Sequence, residues 1–84
     1  MKLHELKTWP SNYQAMVDGV KTWDWRRDDD RDFEVGDRIT FFEFDPHEQR
    51  DTNRELQMVI SYIMHGGQFG IPPGYCIMSI VEDK

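Results

Sequence analysis

The sequence predicts a small α+β domain, because segments with strand periodicity dominate and one helical segment lies near the N-terminus. The 84 residues are 38% hydrophobic and 31% charged, a balance typical of a globular chain. A chain of this length buries roughly 60 to 65% of its unfolded surface, enough for one modest core. We therefore expect a single domain over residues 1–84, built as a small barrel of about five strands with one N-terminal helix.

One helix is predicted after the first strand. Pro10 suits a first helical turn, and Gly19 is well placed to end the helix. Between them, Tyr13, Met16 and Val17 recur at the spacing of one helical face. We therefore expect the helix to begin near residue 10 and to stop by residue 19.

The strands are predicted from alternation and from the turn residues that separate them. β-branched and aromatic residues fill 38–44, Pro46 ends that strand, and the polar segment 47–53 predicts a hairpin loop. The next strand alternates, with one apolar face formed by Leu56, Met58, Ile60, Tyr62 and Met64. The predicted strands are residues 3–7, 21–26, 38–44, 55–64 and 75–81.

The strand 21–26 concentrates charged and aromatic side chains between two glycine turns. On a pleated strand, Thr22, Asp24 and Arg26 point to one face, whereas Lys21, Trp23 and Trp25 point to the other. One face of this strand is therefore polar and charged, and the other is largely aromatic.

The exposed edges of the elements provide candidate stacking residues. We expect Trp23 and Trp25 to belong to the core, as most strand tryptophans do. Trp9 and Tyr75 lie beside turns and are better candidates for stacking on a ligand. Phe69 is expected to plug its own glycine-rich loop.

Lys21, Asp24 and Arg26 are the candidate ligand-binding residues of the strand. The planar guanidinium of Arg26 suits phosphate, carboxylate or a guanine edge, and Asp24 can accept hydrogen bonds from an exocyclic amine. The glycine turn before Lys21 allows its ammonium to reach the same pocket. A structural ion pair between Asp24 and Arg26 fits the pattern equally well.

The charge balance limits the partners of the chain. A net charge of −6 argues against general affinity for a nucleic-acid backbone, so any nucleic-acid contact must be local. From Asp18 to Asp37 eight carboxylates accompany four basic residues. This acidic surface leaves open a protein partner, and the chain is expected to be a monomer or a weak dimer.

Metal, redox and membrane chemistry find little support in the sequence. The lone Cys76 lies in an apolar strand and is expected to be inert packing, and the run Asp28-Asp29-Asp30 is expected to be solvated. No metal and no cofactor are predicted. No apolar segment reaches the length of a membrane span, and the N-terminal segment lacks a signal-peptide run, so we expect a cytoplasmic protein.

Four segments follow one another in an order typical of one family. The opening 2–7 is followed by 19–26, Gly-Val-Lys-Thr-Trp-Asp-Trp-Arg, by 30–37, Asp-Arg-Asp-Phe-Glu-Val-Gly-Asp, and by 65–75, His-Gly-Gly-Gln-Phe-Gly-Ile-Pro-Pro-Gly-Tyr. Together they resemble the ASCH domains of the PUA-like superfamily, in particular the short bacterial and phage members of unassigned function. The resemblance implies a PUA-like barrel. Asp24 departs from the usual glutamate and shortens the reach of that carboxylate by one methylene.

The resemblance also implies a function and a site. ASCH domains resemble RNA-binding PUA domains, so it implies a module that binds RNA or a nucleotide-like ligand. The pocket is expected to be lined by the 21–26 strand and the 65–75 loop. The candidate ligand-binding residues are Lys21, Thr22, Asp24, Arg26, His65 and Tyr75.

A catalytic alternative stays open, because some ASCH relatives hydrolyse the acetyl amide of N4-acetylcytidine and others are described as ribonucleases. In the amidohydrolases a threonine nucleophile stands where this chain has Asp24, and an acid–base glutamate comes from a helical insertion absent here. Lys21 is kept. In an RNA-cleaving role Lys21 would stabilise the phosphorane, and Asp24 or His65 would act as base. Lys21 and Asp24 are therefore the catalytic candidates.

Overall fold

A computed structural model describes residues 1–83 of the chain. These residues form one five-stranded sheet and one short helix, so the predicted α+β class is confirmed. The strands are β1 (Leu3–Thr8), β2 (Trp23–Arg27), β3 (Arg38–Asp45), β4 (Arg50–His65) and β5 (Tyr75–Glu82), and the helix is α1 (Pro10–Val17). No helix within residues 1–83 is long and apolar enough to cross a membrane.

The sheet has the strand order β1-β3-β4-β5-β2 and curls into a half barrel. β1 pairs in parallel with β3, and the three other neighbouring pairs are antiparallel. Within residues 1–83 the two edge strands, β1 and β2, do not pair with each other. The barrel predicted from the sequence is therefore open on one side, and we refer to the gap between β1 and β2 as the seam.

The hydrophobic core fills the concave side of the sheet. It consists of Leu6, Met16, Phe33, Ile39, Phe41, Met58, Ile60, Cys76, Met78 and Ile80. Burial and the nearby Asp28 carboxylate raise the pKa of the Cys76 thiol to about 11. The raised pKa favours the protonated thiol near neutral pH. The prediction that Cys76 packs in the core is confirmed, and its lack of reactivity stays a prediction.

The loop predicted over residues 47–53 is partly strand. Arg50 pairs with Asp45 and Asp51 pairs with Phe44 across the hairpin, so β4 already begins at Arg50. The Asp45 carboxylate accepts hydrogen bonds from two backbone N–H groups of the turn, at 2.9 and 3.2 Å. These bonds close the turn within a few residues, which the polar composition of the segment did not reveal.

β4 changes the face it presents to the core. Met58 and Ile60 point inward, but a β-bulge between Ile60 and Tyr62 shifts the register against β5. Beyond the bulge Ile63 packs against the core and Tyr62 is exposed. The single apolar face predicted over the whole strand is therefore wrong after residue 60.

β2 begins two residues later than predicted. The N–H groups of Val20 and Lys21 both donate to the Ala15 carbonyl of α1, each at 3.0 Å. The chain is therefore still wrapped around the end of the helix at these positions. Regular pairing with β5 starts only at Trp23, opposite Ser79.

The two faces of β2 are reversed relative to the prediction. Asp24 lies opposite Met78 and is buried, whereas Trp23 and Trp25 are 48% and 44% exposed. The prediction that both tryptophans belong to the core is therefore wrong. The physical reason is that Asp24 meets cationic partners on the concave side, which removes much of the cost of burying a carboxylate.

Asp37 joins the N-terminus, the acidic loop and the start of β3. Its buried carboxylate accepts hydrogen bonds from the backbone N–H groups of Lys2 and Glu34, both at 3.0 Å. The Nε2 atom of His4 donates to the same carboxylate at 2.9 Å. Burial alone would raise the pKa of Asp37, but these hydrogen bonds lower it to about 2.

We expect Asp37→Asn to lower the free energy of unfolding by about 2 to 4 kcal/mol. The amide loses the charge, and its NH₂ group would face groups that are themselves donors. Urea unfolding followed by circular dichroism measures the change. Asp32→Asn, an exposed position in the same loop, is the matched control and should cost less than about 0.5 kcal/mol. Equal effects of the two substitutions would contradict this role of Asp37.

The lowered pKa of Asp37 also predicts how the free energy of unfolding changes in acid. Its pKa in the folded chain, about 2, lies below its usual value of 3.8, so the folded state favours the charged form. The resulting contribution, about 2.5 kcal/mol, is fully present above the unfolded pKa and is lost as the pH falls through the folded pKa. The stability difference between wild type and Asp37→Asn should therefore shrink between about pH 5 and about pH 2. A difference that is constant over this range would be incompatible with the account.

Candidate functional site

A pocket of about 330 Å³ opens in the seam between β1 and β2. We name it the seam pocket, and it lies at the small end of the range for ligand sites. The end of β1, the start of α1, the turn after α1 and β2 contribute its walls. The lining residues are Lys7, Thr8, Trp9, Asn12, Lys21, Trp23, Asp24, Trp25 and Arg26.

A buried carboxylate with two cationic partners forms the polar part of the pocket. The Nε atom of Arg26 lies 2.5 Å from Oδ2 of Asp24, and Nζ of Lys21 lies 3.5 Å from Oδ1. Lys21 also donates to the side-chain oxygen of Asn12 at 3.2 Å. The predicted convergence of Lys21, Asp24 and Arg26 on one pocket is confirmed, and their role in ligand binding stays a prediction.

Arg26 connects the two edge strands. One of its Nη atoms donates to the main-chain carbonyl of Lys7 in β1 at 2.9 Å, while Nε remains on Asp24. Its guanidinium also lies 5.9 Å from the ring centroid of Phe41. The structural ion pair that the sequence left open is therefore present, and it lies inside the candidate site.

Three tryptophans surround this polar group. Trp9 is 60% exposed, in agreement with the prediction, and Trp23 and Trp25 are about half exposed. These are all the tryptophans of the chain, and each of them lines the seam pocket. The ammonium of Lys21 lies 4.9 Å from the centroid of Trp23. Half-exposed rings around a cationic group provide surfaces on which a flat ligand can stack.

The other predicted site residues lie outside the seam pocket. Thr22 lines a separate pocket beside α1. His65, at the end of β4, has its Nδ1 atom 3.5 Å from the Asp28 carboxylate. Tyr75 is nearer, because its ring centroid lies 6.4 Å from that of Trp25, which does line the pocket. The structure therefore brings together three of the six predicted residues and leaves Tyr75 beside Trp25, outside the pocket.

The 65–75 loop folds on itself instead of lining the seam pocket. Ile71 fills its interior, whereas Phe69 is 83% exposed, so the prediction that Phe69 plugs the loop is wrong. A Cβ atom at Gly66 would lie 2.0 Å from the carbonyl oxygen of Pro72, so this position requires glycine. The predicted lining of one pocket by both the strand and the loop is therefore not seen in the seam pocket.

The acidic loop after β2 is held by a local ion pair. Arg27 donates to the Asp29 carboxylate at 2.9 Å, which lowers the pKa of Asp29 and raises the pKa of Arg27. Asp29 and Asp30 are exposed, as predicted, whereas Asp28 departs from the prediction, because its side chain is only 18% exposed and its carboxylate lies against His65. No group of three or more His, Cys, Asp or Glu residues in the range 1–83 is placed to hold a metal ion.

Several pocket residues were missed from the sequence. Asn12 is exposed on α1, and its contact with Lys21 depends on the turn that returns the chain from the helix to β2. The Lys7 carbonyl contributes through the backbone, which no side-chain pattern reveals. The exposure of Trp23 and Trp25 could have been predicted by considering on which face of β2 the Asp24 carboxylate can pair with cations.

The fold and the site define a small α+β domain with a polar, tryptophan-lined pocket at the open side of a half barrel. The chain belongs to the family described as "Domain of unknown function (DUF3850)", whose model matches residues 3–80. That range includes every residue of the seam pocket. A comparison with curated proteins finds no match.

The geometry predicts that Asp24 and Arg26 are energetically coupled. A double-mutant cycle with Asp24→Asn, Arg26→Gln and the double variant is measured by urea unfolding. The coupling free energy between the two side chains should be about 1 to 3 kcal/mol, because both groups are partly or fully removed from water. The exposed pair Glu48 and Arg50 is the control and should give less than about 0.5 kcal/mol. Equal coupling in the two pairs would show that burial of Asp24 does not strengthen the interaction.

Proposed function

We propose that this domain binds RNA or a nucleotide-like ligand in the seam pocket, as a small module of the PUA-like, ASCH kind. One observation carries the proposal: Lys21, Asp24 and Arg26 form a polar group inside a cavity that all three tryptophans of the chain surround. The ASCH-like segment 19–26 supplies this polar group, which supports the same assignment.

The tryptophans favour a flat, aromatic ligand part. Unpaired bases are recognised by stacking on aromatic side chains, and each stacked base contributes about 1 to 3 kcal/mol. Trp9, Trp23 and Trp25 are each exposed enough to offer a ring face. The cavity of about 330 Å³ matches one base and its sugar better than a longer segment.

The polar group favours a ligand with hydrogen-bond acceptors. Arg26 has five N–H donors, of which one faces Asp24 and one faces the Lys7 carbonyl. Lys21 has three N–H donors and uses two of them, on Asp24 at 3.5 Å and on Asn12 at 3.2 Å. Donors therefore remain for base carbonyls or for phosphate oxygens.

The charge of the domain sets the expected kind of binding. The chain carries a net charge of −6, whereas Lys21 and Arg26 outnumber the one carboxylate in the pocket. Long-range attraction to a nucleic-acid backbone is therefore weak, and affinity must come from stacking and short-range hydrogen bonds. With one or two phosphates contacted, affinity should depend weakly on salt, with a logarithmic slope of about −0.7 to −1.4.

Catalysis is the less favoured hypothesis for this pocket. Lys21 and Asp24 are adjacent, but Thr22 lies outside the cavity. Position 24 carries a carboxylate where the amidohydrolases place their nucleophilic threonine. Thr8 lines the pocket but is buried in β1. Binding without turnover is therefore the function that the arrangement of these side chains supports best.

Arg26→Ala should weaken the binding of mixed-sequence single-stranded RNA by about 10- to 100-fold at low salt, because charge-assisted hydrogen bonds are lost. Because every tryptophan lines the seam pocket, quenching of intrinsic tryptophan fluorescence reports on this site. Arg50→Ala, at the exposed start of β4, removes the same charge elsewhere and should leave the affinity unchanged.

Three controls accompany the binding measurement. Circular dichroism should show that Arg26→Ala is folded, and Arg26→Lys, which keeps the charge without the planar fork, should bind with intermediate affinity. A gel of the same samples should show intact RNA. Equal affinity of wild type and Arg26→Ala would refute the proposal. RNA cleavage that disappears in Lys21→Ala would instead establish the catalytic hypothesis.

A further inference from the structure

We propose that the seam contains a phosphate subsite next to the seam pocket, so that the preferred ligand is a phosphorylated nucleotide whose base and phosphate occupy adjacent cavities. This inference rests on the proposed function, because it assigns the base to the seam pocket. It adds the chemical class of the ligand and assigns Arg27, Arg31 and Phe33 to the site, none of which was predicted there from the sequence.

The subsite is a second cavity of about 230 Å³ at the seam, which we name the arginine pocket. Its lining residues are Leu6, Arg26, Arg27, Asp30, Arg31 and Phe33. Arg26 lines both this cavity and the seam pocket. Arg26 therefore borders both cavities, and a ligand that extends from one to the other would pass beside it.

The three guanidinium groups of this cavity have unused donors. Each arginine has five N–H donors. Arg26 donates to Asp24 and to the Lys7 carbonyl, and Arg27 donates to Asp29. Arg31 makes no salt bridge with any residue in the range 1–83. A phosphate has several acceptor oxygens, and planar guanidinium forks match their geometry.

Arg31 has an aromatic neighbour but no carboxylate partner within residues 1–83. Its guanidinium lies 5.8 Å from the centroid of Phe33. Phe33 is itself buried, and its ring lies 4.6 Å from that of His4 in β1. A guanidinium that rests on an aromatic face keeps its edge donors available for a ligand. The contact with Phe33 therefore leaves the hydrogen-bonding capacity of Arg31 unused.

Carboxylates compete with a phosphate for this cavity. Asp30 lines the cavity, and the Asp29 carboxylate accepts a hydrogen bond from Arg27 at 2.9 Å. Both are exposed residues of the acidic loop. A bound phosphate must share or replace these partners, so neutralising Asp30 should strengthen phosphate binding while neutralising Arg31 weakens it. The two substitutions are therefore expected to act with opposite signs.

The test compares the four common ribonucleosides with their 5′-monophosphates by tryptophan fluorescence and calorimetry. We expect at least one nucleotide to bind about tenfold or more tightly than its nucleoside. Arg31→Gln should reduce this affinity ratio to near one, and Asp30→Asn should raise it. Arg50→Gln and Asp51→Asn, which make the same charge changes on the far hairpin, should leave the ratio as in the wild type.

A dinucleotide without a terminal phosphate identifies the source of the phosphate. If it binds as tightly as the mononucleotide and loses that affinity in Arg31→Gln, an internucleotide phosphate fills the subsite, as in a strand of RNA. If it binds only as tightly as a nucleoside, the subsite accepts a terminal phosphate. Either result supports the arginine pocket and defines its ligand.

The failures of the two proposals can be distinguished. Nucleosides that bind as tightly as their nucleotides would overturn the phosphate subsite and leave the base pocket in place. Inorganic phosphate that binds in an Arg31-dependent way, without binding of any nucleoside, would keep the anion site and overturn the proposed function. Absence of binding by nucleosides, nucleotides, dinucleotides and phosphate would overturn both.

Discussion

The buried carboxylate of Asp24 is the interaction on which the candidate site depends. A charge on the concave side of the sheet is tolerated only when it is paired, and Asp24 is paired with Arg26 at 2.5 Å and with Lys21 at 3.5 Å. Because side chains alternate along a strand, an inward Asp24 sends Trp23 and Trp25 outward. One buried charge therefore fixes the positions of two cations and exposes two aromatic rings beside them.

The open seam explains how so small a domain can hold a pocket. A closed barrel of this size would fill its interior with side chains. Here β1 and β2 are joined by the Arg26 side chain instead of a backbone ladder, which leaves room for two cavities. Asp37 fixes the start of β1 through hydrogen bonds with Lys2 and His4. The position of β1 at the seam is therefore set by these bonds as well as by its pairing with β3.

The helix and all five strands could be predicted, because their apolar periods and turn residues agree with the final structure. The predictions were wrong where the periodicity of apolar residues does not determine the structure. Alternation shows which residues of β2 share a face but not which face is buried, and hydrophobicity favoured the tryptophans over Asp24. The bulge after Ile60 reverses the alternation of β4 without a glycine or proline to mark it. His65 and Tyr75 were expected in the pocket because the resemblance to ASCH domains implied that the 65–75 loop lines it. The sequence does not show how this loop folds, and it folds around Ile71.

The location of the binding site is the central claim, and nuclear magnetic resonance tests it most directly. A titration of ¹⁵N-labelled protein with a short mixed-sequence single-stranded RNA follows the three indole N–H signals and every backbone amide. The account predicts the largest shifts at the three indoles and at residues 21–27, with small shifts in the 65–75 loop and in the turn before β4. Shifts concentrated in the 65–75 loop or the turn before β4, with unchanged indole signals, would contradict it.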